Sequence, residues 1–141
     1  MEKTIKLIRV SLGIIFLWYG TLKLFPQLSP AEELATSTIH ILFFGLINDA
    51  LAIKLLAIWE ICIGLGFIFA TYIRFVVSIF LVHMILTFTP LFLLPELSFT
   101  HTPYAFTIVG QYIVKNVVLI LAGILVLQNE VKLTKKVSGM L

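Results

Sequence analysis

Apolar residues fall into four long runs, separated by short segments that contain polar residues or proline. Each run has close to the roughly 20 residues that an α-helix needs to cross a hydrocarbon core about 30 Å thick. The pattern therefore predicts transmembrane helices over residues 7–25, 51–70, 75–94 and 104–127. We expect an all-α, integral membrane bundle of four helices that forms one domain over residues 1–141.

Between the first two spans, the sequence predicts a further helix over residues 31–46. Ser29 can cap it, Pro30 takes the first helical position, and Glu32 and Glu33 lie in its first turn. This helix is expected to lie on the membrane surface or to fold over the mouth of the bundle. In the third span, Pro90 is expected to bend or weaken the last turns.

The composition supports a membrane protein, because 60% of the residues are hydrophobic and only 12% are charged. Soluble domains are about 45–50% apolar and about 25% charged. The net charge of +3 comes from basic residues that flank apolar runs, which argues against a nucleic-acid partner. Cys62 is the one cysteine, so no intrachain disulfide or dithiol chemistry is expected.

The positions of Lys and Arg predict the orientation, since cytoplasmic loops are enriched in both. With four spans, the basic residues of the termini and of the turn after the second span lie on one side: Lys3, Lys6, Arg9, Arg74, Lys132, Lys135 and Lys136. The acidic residues Glu32, Glu33, Asp49 and Glu96 lie on the other. We therefore expect a multi-pass protein of the cell (cytoplasmic or inner) membrane with both termini in the cytoplasm.

Three ionisable residues lie well inside the predicted spans. At about 1.5 Å rise per residue, Lys115 is roughly 16 Å from the outer end of the fourth span. Glu60 is about 14 Å from the outer end of the second span, and His83 is about 13 Å from the inner end of the third. All three are therefore expected near the bilayer midplane, where ionisable side chains face the interior of a bundle and pair.

These depths lead to the hypothesis that Glu60 and Lys115 form an ion pair in the bundle core. His83, Gln111 and Asn116 would complete a polar pocket around the pair, and Gln111 shares a helix face with Lys115. An alternative interpretation is that the pair only fixes the register of the helices and has no chemical role.

Other polar and aromatic residues of the spans also have more than one interpretation. Lys23 is near the outer boundary and is expected to extend toward the headgroups. Arg9 is expected to be an anchor at the inner boundary. Trp18 lies too deep for an interfacial aromatic belt, so it either lines the pocket or packs between helices.

A metal or haem site is not expected. His40 and His101 belong to the outer loops, whereas His83 lies at the midplane, so a site with two histidine ligands is not predicted. The sequence contains no flavin motif either.

Three stretches resemble the DoxX family of small four-helix membrane proteins, and the resemblance extends over essentially the whole chain. They are RVSLGIIFLWYGTLKLFP in the first span, WEICIGLGFIF in the second and GQYIVKNVVLILAG in the fourth. The resemblance implies a component of a quinone-linked oxidoreductase, such as the membrane subunit of a thiosulfate:quinone oxidoreductase that works with a second subunit. Other members are associated with resistance to oxidative, thiol or electrophile stress. The positions carried over by these motifs are Arg9, Lys23, Glu60, Lys115 and Asn116.

Two functions are therefore expected from the sequence. The first is a quinone-interacting subunit with the catalytic residues Glu60, His83 and Lys115, and with Phe16 and Phe67 as further apolar walls. Its quinone-binding residues would be Arg9, Trp18, Tyr19, Lys23, Gln111, Tyr112 and Asn116. The second is a non-enzymatic scaffold, assembly factor or small-molecule binding or transport protein that uses the same pocket. Either would act in the bilayer with a partner subunit or as a homodimer.

Overall fold

The computed structural model describes residues 2–26, 28–29 and 32–138, with side chains described up to residue 134. The chain is mostly helical. Four of its helical segments are long and apolar enough to cross a membrane, as the sequence predicted: Glu2–Leu22, Asp49–Phe69, Ile73–Leu93 and Ile108–Thr134.

The elements follow one another in a simple order. They are α1 (Glu2–Leu22), α2 (Glu32–Leu42), α3 (Asp49–Phe69), α4 (Ile73–Leu86), α5 (Pro90–Leu93), α6 (Pro95–Ser98), β1 (Phe99–His101), β2 (Ala105–Phe106), α7 (Ile108–Val114) and α8 (Asn116–Ser138). The two strands form a small antiparallel hairpin. We call the end of the bundle that carries both termini the terminal end, and the opposite end the cap end.

The four long helices form a closed ring, because α1 and α4 each pack against both α3 and α8. Large apolar side chains fill its centre, and Ile63, Phe67, Val77 and Phe80 are completely buried. Phe80 packs edge-on against Phe16 and Phe67, with ring centroids 5.1 and 5.2 Å apart. This aromatic cluster joins α1, α3 and α4.

Glycines bring α1 and α3 into direct backbone contact. A Cβ atom placed on Gly64 would lie 2.6 Å from the backbone nitrogen of Leu17 and 2.8 Å from the carbonyl oxygen of Gly13. A Cβ atom on Gly20 would lie 3.0 Å from the carbonyl oxygen of Ala57. Small residues at such positions are typical of membrane helices that approach closely. These glycines therefore allow the backbones of α1 and α3 to touch.

The cap end is covered by α2, α5, α6 and the hairpin. The helix predicted between the first two spans is present as α2, but it ends at Leu42 rather than at residue 46. It folds against α3 and α5 and buries Thr38 there. Pro30 and Ala31, which the prediction placed at its start, lie outside the described residues.

Proline and asparagine set the other helix boundaries. α4 ends at Leu86, and a separate short helix begins at Pro90, which confirms the expected effect of this proline. Asn48 begins α3, because its side chain accepts a hydrogen bond from the backbone N–H of Ala50 at 2.8 Å. The fourth span was predicted to end at residue 127, whereas α8 continues to Ser138.

Candidate functional site

Lys23, Glu60 and His83 come together in the bundle, and we call them the buried triad. Lys23 Nζ donates a hydrogen bond to Glu60 Oε2 at 2.6 Å. His83 Nε2 lies 3.4 Å from Glu60 Oε1. The three side chains are only 7–10% exposed. One carboxylate thus lies between two basic groups from different helices.

Local packing explains how Lys23 reaches Glu60. Gly20, one turn before Lys23, brings α1 so close to α3 that a Cβ on Gly20 would lie 3.0 Å from Glu60 Cβ. Lys23 is the first residue after α1, so the close approach of α1 and α3 also brings Lys23 to Glu60.

Apolar and aromatic side chains pack beside the triad. The ring of Phe16 packs edge-on against His83, with centroids 5.6 Å apart. Ala57, one turn from Glu60, is completely buried. Removing two charges from water costs several kcal/mol per ion, and that cost is offset only by good geometry and further hydrogen bonds. Glu60 Oε2 has such a bond from Lys23, and Glu60 Oε1 has the longer contact with His83.

The triad contains the groups that proton transfer requires. A carboxylate accepts protons, and histidine is the side chain that most readily takes up or releases a proton at physiological pH. Glu60 Oε1 and His83 Nε2 face each other, while Lys23 holds the other carboxylate oxygen. The arrangement is therefore suited to holding a proton or to locking three helices together.

The predicted pairing of Glu60 with Lys115 is wrong. Glu60 contacts Lys23 and His83, whereas Lys115 is exposed on the outside of the bundle. Lys23 also does not extend to the headgroups as expected, since it is buried. The physical reason lies in the fourth span, where β2 takes up Ala105–Phe106 and α7 begins only at Ile108. Lys115 is then about 10 Å, not 16 Å, from the start of its helix.

Gln111, Tyr112 and Lys115 form an exposed polar surface on the fourth span, which we call the α7 stripe. Lys115 Nζ lies 3.7 Å from the centroid of the Tyr112 ring, a cation–π contact. The buried side of α7 carries Gly110 and Ile113 instead. The expectation that Gln111 faces a core pocket is therefore also wrong.

The helix is interrupted between α7 and α8 at Lys115. The next residue, Asn116, is half-buried, and its side-chain amide lies 3.4 Å from Thr87 Oγ1. Thr87 follows His83 by one helical turn, and its backbone N–H donates to the His83 carbonyl. Thr87 and Asn116 thus place a polar contact between α4 and α8, one helical turn from His83 on α4 and next to Lys115 in the sequence.

Arg9 has a structural position at the end of α3. Its guanidinium donates to the carbonyl oxygen of Phe67 and, at 3.1 Å, to that of Ile68. These are among the last carbonyls of α3, which have no partner within the helix and favour a nearby cation. Arg9 therefore caps α3 and joins it to α1.

Replacing Arg9 by methionine is expected to lower the free energy of unfolding by about 1.5–3 kcal/mol, the usual value of a hydrogen bond to a charged group. Unfolding by increasing fractions of SDS in mixed micelles measures this change. Arg74→Met is the matched control, because Arg74 is exposed and at the same end of the bundle. Equal stability of the two variants would contradict the capping role.

Of the aromatic residues expected to line the pocket, two are buried in the bundle and two are exposed on its surface. Phe16 and Phe67 lie in the hydrophobic core. Trp18 and Tyr19 are largely exposed on the outside of α1. Neither residue contributes to a core pocket in this structure.

Two surface grooves lie between α1 and α8. One, of about 230 Å³, is at the terminal end and includes Lys6, Arg9 and Glu130. The other, of about 270 Å³, is apolar and includes Ile15 and Leu119. Neither is lined by the buried triad. Within the part of the chain that the structure describes, no group of three or more His, Cys, Asp or Glu side chains is placed to hold a metal ion.

The sequence predicted neither the burial of Lys23 nor its contact with Glu60. The signal for it was present, because Gly13 and Gly20 of α1 and Gly64 of α3 mark a close antiparallel contact. Such a contact brings the end of α1 beside the middle of α3.

Comparisons with models of protein families, with curated proteins and with solved structures find no match for this chain.

Proposed function

We propose that this chain is an integral protein of the cytoplasmic membrane, with both termini in the cytoplasm, and that it is the quinone-interacting subunit of an oxidoreductase. The four apolar helical segments support insertion, and the positions of Lys and Arg support the orientation. The observation that carries the functional part is the buried triad, since ionisable groups at this depth are costly and mark proton pathways and ligand sites.

The donor set of the α7 stripe fits a quinone head group. Gln111 offers an amide, Tyr112 a phenol and Lys115 an ammonium, and all three can donate hydrogen bonds to carbonyl oxygens. All three are exposed on a helix that faces lipid in the proposed orientation. A lipid-soluble ligand would therefore reach them without opening the bundle. The buried triad lines neither of the two grooves between α1 and α8, and it is not proposed as the head-group site.

Quinone supplies two-electron redox chemistry that requires protons at its carbonyl oxygens. In this proposal Lys115 and Gln111 orient the head group. Glu60 Oε1 and His83 Nε2 hold an exchangeable proton in a water-poor interior, and Thr87 and Asn116 provide polar groups between the triad and the stripe. Lys23 fixes the second oxygen of Glu60 and so orients the carboxylate.

The electrons would come from a reductant or from a partner subunit, because this chain carries no flavin motif or dithiol. The resemblance to the DoxX family supports a sulfur-compound or oxidative-stress pathway and a second subunit. Under this proposal the chain binds quinone and moves protons, while the partner brings the electron donor.

A specific observation favours a second function, that of a non-enzymatic membrane scaffold. Both oxygens of Glu60 are satisfied, and the triad joins α1, α3 and α4 in one contact. Buried polar contacts of this kind can serve only to fix one arrangement of helices. In that case the α7 stripe would bind a partner or lipid, and no redox activity would follow.

Quinone content separates the two functions. The protein is purified in lipid nanodiscs without delipidation, and bound quinone is extracted and quantified by absorbance and mass spectrometry. We expect stoichiometric quinone in the unmodified protein, its loss in Lys115→Met, and its retention in Glu60→Gln. The reason is that Lys115 contacts the head group in this proposal, whereas Glu60 lies behind it.

Lys54→Met is the matched control, because Lys54 is another exposed lysine within a span. It should keep its quinone. If the folded, unmodified protein carries no quinone, or if Lys115→Met and Lys54→Met retain equal amounts, the scaffold function is favoured.

A further inference from the structure

The turn that ends α2 has a hydrogen-bond pattern that normally places glycine in a particular position. The N–H of Gly45 donates to the carbonyl of His40 at 2.8 Å, and the N–H of Phe44 donates to that of Ile41 at 3.2 Å. This is a Schellman motif with Phe43 as the C-cap, in which the residue after the C-cap adopts the left-handed conformation and is usually glycine. Here that residue is Phe44, with φ 52°, followed by Gly45 with φ 71°.

Phe44 is an unfavourable choice for this backbone conformation. A bulky residue with positive φ is a conformational outlier, and such outliers persist where the surrounding structure or a function retains them. Packing does not explain it, because Phe44 is 90% exposed. Leu46 is also almost fully exposed, and Phe43 is half-exposed. The turn therefore presents its large apolar side chains away from the protein.

We infer that residues 43–46, here called the anchor turn, insert into the headgroup region of the bilayer at the cap end. The inference rests on the proposed insertion of the four spans. The turn is joined directly to a span, because Asn48 begins α3 two residues after Leu46. Leu51 and Leu55, on the first turns of α3, are also exposed, so the apolar surface continues from the turn onto the proposed lipid-facing side.

The charges around the anchor turn favour lipid acyl chains over an anionic surface. No lysine or arginine occurs between residues 24 and 53, and Asp49, three residues after Leu46, is exposed. Binding therefore depends on buried apolar area, as for interfacial anchors whose aromatic side chains lie at the headgroup level. The partner that this surface fits is a neutral or zwitterionic lipid surface.

The consequence concerns α2, which covers the cap end. The N-terminal end of α2 follows α1 after residues 23–31, and the buried face of α2 packs against α3 and α5. An anchored turn at its C-terminal end would hold this cover in place next to the bundle. The outer cover is thus a membrane-seated element rather than a free loop.

Site-directed spin labelling tests the position of the turn. In a Cys62→Ser background, single cysteines replace Phe44, Tyr104 or Val118, and the labelled proteins are reconstituted in phosphatidylcholine vesicles. Collision rates with oxygen, which concentrates in lipid, are compared with those of a water-soluble nickel chelate. Val118 is an exposed residue of α8 and reports insertion of the spans, and Tyr104, 77% exposed in the hairpin turn, reports water.

We expect the Phe44 label to resemble Val118 in favouring oxygen, and the Tyr104 label to favour the nickel chelate. A Phe44 label that resembles Tyr104 overturns the inference while leaving insertion intact. A Phe44 label shielded from both reagents also overturns it, because a protein surface then covers the turn. If Val118 itself favours the nickel chelate, the proposed insertion fails and the inference fails with it.

Two further variants of Phe44 test whether the anchor turn keeps α2 in place, and neither is expected to disrupt the fold. Phe44→Gly suits the left-handed backbone and removes the anchor, whereas Phe44→Trp keeps an interfacial aromatic side chain. We expect faster hydrogen–deuterium exchange of the α2 amides in Phe44→Gly than in Phe44→Trp, in vesicles. Equal exchange in the two variants would overturn the role of the turn in holding α2.

Discussion

Replacing Lys23 by methionine is expected to lower the free energy of unfolding by about 3–5 kcal/mol, the cost of removing one partner from a buried ion pair. Lys23 is buried, and its ammonium donates at 2.6 Å to Glu60. Without Lys23, His83 is the one basic group of the triad left to stabilise the buried Glu60 carboxylate. Unfolding by SDS in mixed micelles, at constant total detergent, measures the change.

Lys115→Met provides the matched control, since both lysines lie in predicted spans and the change is identical. Lys115 is exposed and its ammonium lies over the Tyr112 ring, so its replacement should cost about 1 kcal/mol at most. The double variant Lys23→Met, Glu60→Gln should recover much of the lost stability, because no buried charge remains unpaired. If Lys115→Met destabilised the protein more than Lys23→Met, the buried partner of Glu60 would be Lys115 and not Lys23.

Gly64→Ala is expected to destabilise the bundle by about 1–3 kcal/mol or somewhat more, the range for overpacking a well-packed interior. The added methyl group would lie 2.6 Å from the backbone nitrogen of Leu17 and 2.8 Å from the carbonyl oxygen of Gly13. Backbone atoms cannot rotate away, so α1 and α3 would have to separate. Separation would also lengthen the Lys23–Glu60 contact, which depends on the same close approach.

Gly66→Ala is the comparison for this variant. The atoms nearest to its added methyl group would belong to the side chain of Val76 on α4, with the two closest at 2.6 and 3.0 Å. A side chain at the start of α4 can adjust, so the cost should be smaller. If Gly66→Ala proves as destabilising as Gly64→Ala, direct backbone contact between α1 and α3 does not limit the packing.

The architecture was predictable because membrane spans depend on local composition. The four apolar runs, the helix between the first two and the effect of Pro90 each follow from length, caps and proline chemistry within one segment. The burial of Glu60 and His83 was predictable for a related reason, since an ionisable residue deep in a span must face the protein.

The choice between Lys23 and Lys115 was not predictable in the same way. It depends on where the fourth span begins, and the residues Tyr104–Phe106 are apolar enough to resemble its start while they form the end of a hairpin. Thr107 did carry a signal, because its side chain caps α7 by accepting from the N–H of Gly110 at 3.0 Å. The pairing of Lys23 with Glu60 further required the distance between two helices, which no single segment contains.

The proposed function requires that Glu60 of the buried triad exchanges protons when quinone is reduced at the α7 stripe. Infrared difference spectroscopy tests it most directly, with quinone-loaded protein in nanodiscs reduced electrochemically and compared with Glu60→Gln, which should still bind quinone. The proposed function predicts a carboxyl band that appears or disappears on reduction, shifts in deuterium oxide and is missing in Glu60→Gln. A spectrum in which bound quinone is fully reduced with no carboxyl change, identical in the two proteins, would contradict the claim and leave the triad as a contact between helices.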